Sequence, residues 1–267
     1  MSLRINTNVE AFNAHRQLAQ TSDRASKSME RLSSGYRINR AADDAAGLAI
    51  SEKLRGQIRG LSQAQRNSQD GVSLVQTAEG SLNEVHSMLQ RVRELAVQYQ
   101  NGTLSTSDKA AITAEAAQLQ SEIERIGTTA DFNGIKLLDG TGGTISFQVG
   151  SNDGDTISVA TASLGQKIGT INVAATSNAI SAIDAAIENV SSLRSTFGAV
   201  QNRLEHTLNN LATYQENLTA SESRIRDVDM ASEMVEFSKN QILQQAGTSM
   251  LAQANQAPQA VLSLLRG

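Results

Sequence analysis

The side chains best suited to metal binding or acid–base chemistry are three widely separated histidines, His15, His86 and His206. Two of them have an acidic neighbour, in Glu84-Val85-His86 and in Glu205-His206. Neither stretch has the His-Glu-x-x-His spacing that places two imidazoles on one helix face to bind zinc. The chain also has no cysteine, which excludes thiolate ligands, disulfides and cysteine nucleophiles. We therefore expect no metal site.

The glycine-rich and acidic loops offer no better candidate site. Gly140-Thr141-Gly142-Gly143 has no following helix with Lys and Ser or Thr, so it predicts a turn rather than a phosphate-binding loop. Asn152-Asp153-Gly154-Asp155 suits a hairpin turn better than a calcium site. The pair Asp43-Asp44 lies in an exposed connector, where nothing would raise a carboxyl pKa. The sequence therefore predicts no catalytic residues, no cofactor and no enzyme activity.

Composition also narrows the class of protein. The 267 residues have a formal net charge of −4 and no basic block, so we expect no nucleic-acid binding. Aromatic residues make up only 3%, which favours thin helix–helix seams over a globular enzyme core. The single proline is Pro258, and the first residues have no apolar segment typical of a Sec signal peptide.

The longest pattern is a run of helical heptads over 47–99, with no proline to interrupt it. Its 3-4 spacing places one narrow stripe against partner helices, as in a coiled coil or helical bundle. A helix of this length extends about 80 Å, so it needs partners of similar length. The stripe consists of Gly47, Ile50, Leu54, Gln57, Leu61, Ala64, Ser68, Gly71, Val75, Ala78, Leu82, Val85, Leu89, Val92, Ala96 and Tyr99.

Two further helices supply these partners. After a turn at 101–103, Ser105 or Ser107 can cap a helix that we expect to end at Gly127 and to fold back antiparallel. Ser177 can cap a third helix nearly as long as the first. The stripe of the second helix is Ile112, Ala116, Leu119, Ile123 and Ile126. The stripe of the third is Ile180, Ile183, Ile187, Val190, Arg194, Phe197, Gln201, Leu204, Leu208, Leu211, Gln215, Leu218, Glu222 and Ile225.

Between these two helices, the periodicity changes to that of short strands. Ile145-Ser146-Phe147-Gln148-Val149 alternates, and Ile157-Ser158-Val159 is its predicted partner across a turn. Asn133-Gly134 is a further hairpin signal. We expect a small β-hairpin region at about 131–175 and a mainly α fold, an elongated antiparallel helical bundle with paired terminal helices.

The two ends of the chain are predicted helices without partners in this bundle. Residues 1–34 are weakly amphipathic, and Ser33-Ser34-Gly35 ends the pattern before a charged connector that we expect to be solvated. From Asn240 to Leu265 no residue is charged, but its many glutamines exclude a membrane span. In one copy the two ends can pair only with each other, so we expect self-association.

Several stretches closely resemble bacterial flagellins. They occur in family order and cover both ends and the bundle. They are Arg31-Leu32-Ser33-Ser34-Gly35, Asp43-Asp44-Ala45-Ala46-Gly47, Gln90-Arg91-Val92-Arg93-Glu94-Leu95-Ala96-Val97-Gln98, Asp131-Phe132-Asn133-Gly134, Gln241-Ile242-Leu243-Gln244-Gln245-Ala246-Gly247-Thr248-Ser249 and Leu251-Ala252-Gln253-Ala254-Asn255-Gln256. The chain resembles a short family member without the hypervariable outer domains.

The resemblance implies a motility filament subunit, exported unfolded by the flagellar type III apparatus and located extracellularly. Residues 1–44 and 228–267 would form the inner tube of the filament, and 45–227 the outer tube. Expected partners are further copies of the chain, the filament cap and junction proteins, and an export chaperone that binds the C-terminal segment. The residues expected to serve assembly or chaperone binding are Ile242, Leu243, Ala246, Met250, Leu251, Val261, Leu262 and Leu265.

The resemblance also implies recognition by Toll-like receptor 5. The family's contact residues fall on Arg91, Leu95 and Glu115, with Gln90 and Gln98 nearby. The spacing of Arg91 and Leu95 predicts one outward ridge beside the Val92/Ala96 seam. Alternatively, Arg91 simply pairs with Glu94 or Glu115 as ordinary surface charge.

Three other classes of protein remain as alternatives. A hook–filament junction protein shares the terminal motifs, but the match over 241–256 favours the filament subunit. A chemoreceptor-like signalling rod would lack the hairpin region and the uncharged tail. An enzyme is disfavoured because no catalytic site is predicted.

Overall fold

The computed structural model describes residues 7–169, 173–174 and 179–266, with side chains described as far as 256. The predicted mainly α class is confirmed. Tertiary contacts divide the chain into two compact units, one of residues 1–56 with 217–267 and one of residues 57–216. In chain order the elements are α1 (Val9–Ser34), α2 (Ala45–Tyr99), α3 (Thr106–Thr129), β1 (Asp131–Phe132), β2 (Ile135–Lys136), β3 (Thr144–Gln148), β4 (Thr156–Ala160), α4 (Leu164–Ile168), α5 (Ala179–Arg226) and α6 (Met230–Arg266).

Local capping chemistry sets several of the helix ends. The Ser105 hydroxyl accepts from the Asp108 N–H while the Asp108 carboxylate accepts from Ser105, a capping box that begins α3 and lowers the Asp108 pKa. Ser105 is therefore the cap rather than Ser107. Gly35, in the left-handed region at φ 74°, ends α1. The predicted cap at Ser177 lies outside the described residues.

The prediction that α3 ends at Gly127 is wrong, because the helix continues to Thr129. Gly127 is buried, and a Cβ built on it would lie 3.4 Å from Leu164 Cδ2. This is an ordinary contact distance, so Gly127 is one buried position of α3 beside Leu164 and does not end the helix.

Residues 57–216 form an antiparallel bundle with α2 between two partners. On one side, Arg91 pairs with Glu115 of α3. On the other, Arg93 pairs with Asp184 of α5 and Glu79 with Arg194. Every described position of the predicted α5 stripe is buried or half-buried. The stripe of α2 from Leu61 to Ala96 is buried as predicted.

Two antiparallel hairpins pack against this bundle. Strands β1 and β2 are joined by Asn133 and Gly134, both at positive φ as a tight two-residue turn requires. Strands β3 and β4 pair with Phe147 opposite Ile157, and Ile157 and Val159 face the core. The predicted hairpin region is therefore present.

In the unit formed by 1–56 and 217–267, α1 and α6 pair antiparallel. The Asn8 side chain donates to the Ala254 carbonyl at 2.7 Å, and at the other end of the pair Arg31 lies 3.5 Å from Glu233. The predicted pairing of the chain ends is thus present within one copy.

The charged residues Arg37, Arg40 and Asp43 of the connector 35–44 are exposed, as expected. The same connector also contacts the rest of this unit, since Ile38 is 1% exposed and the Arg37 N–H donates to the Arg226 carbonyl at 2.7 Å.

One position of the predicted α2 stripe in this unit is wrong. Ile50 is not a stripe position, since it is 51% exposed while Ser51 is fully buried. Burial of Ser51 is tolerated because its hydroxyl donates to the Leu48 carbonyl of the preceding turn.

Candidate interaction surfaces

The first candidate surface is formed by α2 and α3, and we call it the α2–α3 ridge, comprising Gln90, Arg91, Glu94, Gln98 and Glu115. All five residues are exposed. The Arg91 guanidinium donates to Glu115 through Nε at 3.0 Å and lies 2.9 Å from it through Nη2, while Nη1 lies 3.0 Å from Glu94. These hydrogen bonds, the one to Glu115 more than the one to Glu94, raise the pKa of Arg91. The ridge presents one cation held between two carboxylates.

The two glutamines flank this cluster on the same helix. The Gln90 amide lies 2.9 Å from His86 Nε2, one turn towards the start of α2. Gln98 lies nearly two turns after Arg91, and its side chain has no hydrogen-bond partner among the residues described in the structure. The ridge is therefore a polar strip suited to binding a polar or charged partner surface, with no group placed for catalysis.

The predicted outward position of Leu95 is wrong, because its side chain is 1% exposed and belongs to the core. Arg91 and Tyr99 lie one turn before and after it, and they contact Glu115 and Lys109 of α3. Leu95 therefore lies on the side of α2 that α3 covers. The heptad pattern predicts a single seam on α2, whereas α2 is buried by α3 as well as α5.

The second candidate surface belongs to the α1–α6 pair. The buried and half-buried positions of both helices repeat at alternating steps of three and four residues, the spacing of a coiled coil. We call these positions the terminal seam: Ala11, Ala14, Leu18, Thr21, Ala25, Ser28 and Leu32 of α1, and Glu233, Phe237, Asn240, Gln244, Gly247, Leu251 and Ala254 of α6.

The opposite side of α6 carries exposed apolar residues, which we call the α6 outer face: Val235, Ile242, Ala246 and Met250. Their exposures are 69% for Val235, 66% for Ile242 and 62% for Met250, and Ala246 is exposed as well. Steps of seven, four and four residues keep them on one helix face. An apolar stripe left uncovered in one copy is a surface for another protein.

The other residues predicted for assembly have different environments. Leu243 borders the α6 outer face and is 45% exposed. Leu251 is half-buried in the terminal seam, where it faces α1 instead of solvent. Val261, Leu262 and Leu265 lie beyond the side chains described in the structure.

Sequence reasoning missed the polar residues of the terminal seam. Glu233, Asn240, Gly247 and Ala254 are spaced by seven, and Phe237, Gln244 and Leu251 alternate with them. An apolar heptad pattern does not detect this register, because most residues at these positions are polar or small.

Metal-binding clusters and membrane spans are both absent from the described part of the chain. No group of three or more His, Asp or Glu side chains has metal-binding geometry there. None of the described helices is long and apolar enough to cross a membrane.

Comparison with known proteins identifies the family. The model of the bacterial flagellin N-terminal helical region matches residues 5–143, and that of the bacterial flagellin C-terminal helical region matches residues 180–265. The chain belongs to the bacterial flagellin family. The two matches place α1 to α3 in the N-terminal region of flagellins and α5 and α6 in the C-terminal region.

Flagellin relatives span the whole chain. A flagellin of Halalkalibacterium halodurans is 57% identical over 270 residues, covering 98% of this chain and 99% of its own length. The flagellar filament 33 kDa core protein of Treponema phagedenis is 48% identical over 284 residues, covering 98% and 99%. The crystal structure of Bacillus cereus flagellin matches with a TM-score of 0.52 at 35% identity, over 55% of this chain and 88% of that one. The chain is thus a short flagellin, similar in length to the relatives from Halalkalibacterium halodurans and Treponema phagedenis.

Proposed function

We propose that this flagellin is the structural subunit of a bacterial flagellar filament and serves motility. The observation that carries the proposal is the α6 outer face, which stays exposed although the opposite side of the same helix packs against α1. A helix that packs against a partner on one side and exposes an apolar stripe on the other requires a second layer of protein. The filament core protein of Treponema phagedenis, 48% identical, supports a polymer as that layer.

In this proposal the terminal helices and the bundle have separate places in the filament. Residues 1–44 and 228–267 form the inner tube, and residues 45–227 form the outer tube. The apolar exposure of α6 supports the inner position, since a helix at the centre of a polymer is covered on all sides. The charged surface of the bundle, with pairs such as Arg93–Asp184 and Arg125–Glu122, suits the outer position.

Electron microscopy of the purified protein tests the filament proposal. The protein is concentrated, incubated with short filament fragments as seeds, and pelleted by ultracentrifugation. We expect filaments in the pellet and loss of monomer from the supernatant. Protein that stays monomeric with seeds present contradicts the proposal.

We further propose that the monomer is recognised by Toll-like receptor 5 through the α2–α3 ridge. Arg91 and Glu115 supply charge of both signs, and Gln90 and Gln98 supply exposed amides. Leu95 contributes by holding α2 against α3, because its buried side chain cannot reach a receptor in the folded monomer.

A receptor-reporter assay on monomeric protein tests this contact. Arg91→Ala should shift the dose-response curve to higher concentration without loss of helicity. Arg125→Ala, which removes an equally exposed arginine paired with Glu122 on α3, is the matched control and should leave the curve unchanged. Equal curves for wild type and Arg91→Ala reject the proposed contact.

Before assembly, the same C-terminal segment is proposed to bind an export chaperone, through Ile242, Leu243, Met250 and Leu251. The subunit is then secreted through the flagellar type III apparatus and meets the cap and junction proteins at the extracellular filament. Calorimetric titration of the purified chaperone tests the first step. Ile242→Asp should weaken binding, and unchanged affinity rejects the contact. A role as hook–filament junction protein is not favoured, since the relatives spanning the chain are flagellins.

A further inference from the structure

One set of positions in the terminal seam contains no large apolar side chain. These are the α6 positions spaced by seven residues, occupied by Glu233, Asn240, Gly247 and Ala254. In a coiled coil such positions are normally leucine, isoleucine or valine, and a lone polar residue there fixes register at a cost in stability. The terminal seam has polar or small residues at all four.

Two of these residues bury polar atoms that are incompletely paired. Asn240 is 2% exposed, and its Nδ2 has no hydrogen-bond partner within the described part of the chain. Glu233 has a side chain that is 12% exposed; its Oε2 lies 3.5 Å from Arg31 Nη1, while its Oε1 is buried without a described partner. Burying unpaired polar atoms costs free energy, so these residues do not maximise the stability of the pair.

Their positions opposite α1 instead favour one alignment of the two helices. In the observed register Glu233 meets Arg31, and Gly247 lies against Leu18. If α6 slides by seven residues towards the end of α1, Glu233 passes Ser34, where α1 ends, and loses Arg31. A slide the other way brings Glu233 to Arg24, seven residues before Arg31, so in that direction the alignment depends on Asn240.

In the observed register Asn240 is level with the small Ala25, seven residues from the contact of Gly247 with Leu18. The two slides bring it level with Leu32 and with Leu18, so in both the buried amide faces a larger apolar side chain.

We propose that Asn240 and Glu233 are the register-determining residues of the α1–α6 pair, fixing one alignment at the expense of stability. The proposal rests on the geometry of a single copy and does not depend on the function proposed above. It predicts that an apolar residue at 240 strengthens the pair and, at the same time, admits a second alignment.

Disulfide trapping can read the alignment directly, because the chain has no cysteine of its own. A Cβ built on Gly247 lies 3.8 Å from Leu18 Cβ, the usual separation in a disulfide. Leu18→Cys with Gly247→Cys therefore reports the observed register. Leu18→Cys with Ala254→Cys reports a shift of seven residues. In the observed register, positions 18 and 254 are about 10 Å apart along the helix axis, too far for a disulfide.

Both cysteine pairs are placed in three backgrounds: the natural sequence, Asn240→Leu and Gln245→Leu. Gln245 is exposed, so the last background adds an equal apolar side chain outside the terminal seam. Oxidation is carried out at high dilution, and intramolecular products are separated from dimers on a non-reducing gel. Hydrogen exchange of α1 and α6 in the cysteine-free proteins measures the stability of the pair.

In the natural and Gln245→Leu backgrounds, we expect a disulfide only from the pair Leu18→Cys with Gly247→Cys, which reports the observed register. With Asn240→Leu, the shifted product should rise several-fold while amide exchange in α1 and α6 slows. An unchanged product ratio with Asn240→Leu would falsify the role in register. Faster exchange or loss of helicity with Asn240→Leu also overturns the proposal, because it means that Asn240 stabilises the pair instead of limiting it.

Discussion

The Arg226 guanidinium lies 2.7 Å from the Glu52 carboxylate, joining residues 174 positions apart in sequence. The same guanidinium lies over the Tyr36 ring at 4.9 Å from its centroid. Beside this contact, Tyr36 and Asp227 form an isolated antiparallel bridge. The end of α5, the connector and the start of α2 are therefore held together by one arginine.

This contact makes stability depend on pH through Glu52. The hydrogen bond from Arg226, more than the charge of Arg55, lowers the pKa of Glu52 from its ordinary value of 4.5. Because the folded pKa lies below the unfolded one, the stabilisation is present at pH above 4.5 and is lost as pH falls through the folded pKa. Glu52→Gln should thus be less stable than wild type at pH 7, and the difference should shrink as the solution is acidified.

Urea denaturation at a series of pH values measures this difference. Asp70→Asn, at an exposed carboxylate of the same helix, is the control and should show little difference at any pH. A constant gap between wild type and Glu52→Gln down to acidic pH would contradict the assignment.

The close approach of the β3–β4 hairpin to α2 depends on Gly71. A Cβ at this position would lie 3.2 Å from Leu204 Cδ1 and 3.3 Å from Phe147 Cγ, so a larger side chain has no space. Gly71→Val should lower the free energy of unfolding by about 1–3 kcal/mol through overpacking. Gly80→Val, in the same helix with open space around the Cβ, should be close to neutral. Equal denaturation midpoints for the two variants would refute the packing argument.

Leu95 and Arg91 lie one turn apart on α2, but replacing each by alanine should change the free energy of unfolding by very different amounts. Leu95→Ala removes a fully buried side chain and should cost about 2–5 kcal/mol by leaving a cavity. Arg91→Ala removes an exposed ion-paired side chain and should change thermal unfolding little. Calorimetry of both variants checks the ranking, and an unaltered melting temperature for Leu95→Ala would show that α3 does not cover this residue.

The helices and their main stripes followed from the sequence because heptad spacing, caps and turn residues act locally. Ser105, Gly35 and Asn133-Gly134 each determine structure within a few residues, and the alternation of Ile145 to Val149 is equally local. The pairing of the chain ends could also be inferred, since no other partner was available to them.

The remaining features depend on which helix lies beside which. The burial of Leu95 is not predicted, because a heptad pattern gives the spacing of a buried stripe but not the number of helices that cover it. Glycine is common just after a helix end, which predicts a stop at Gly127, whereas α3 continues for two more residues and buries this glycine. Likewise, local patterns predict the exposed charges of the connector but not the hydrogen bond from the Arg37 N–H to Arg226, which is far along the chain.

Polymerisation through the α6 outer face is tested most directly by seeded sedimentation of a double variant. Ile242→Asp with Met250→Asp places charge on the face, while Ile242→Leu with Met250→Leu keeps it apolar at the same positions. Neither pair of substitutions lies in the terminal seam, so circular dichroism should show unchanged helicity for both. We predict that the leucine variant pellets as filaments and the aspartate variant stays in the supernatant. Filaments of the aspartate variant in wild-type yield would contradict this role of the face.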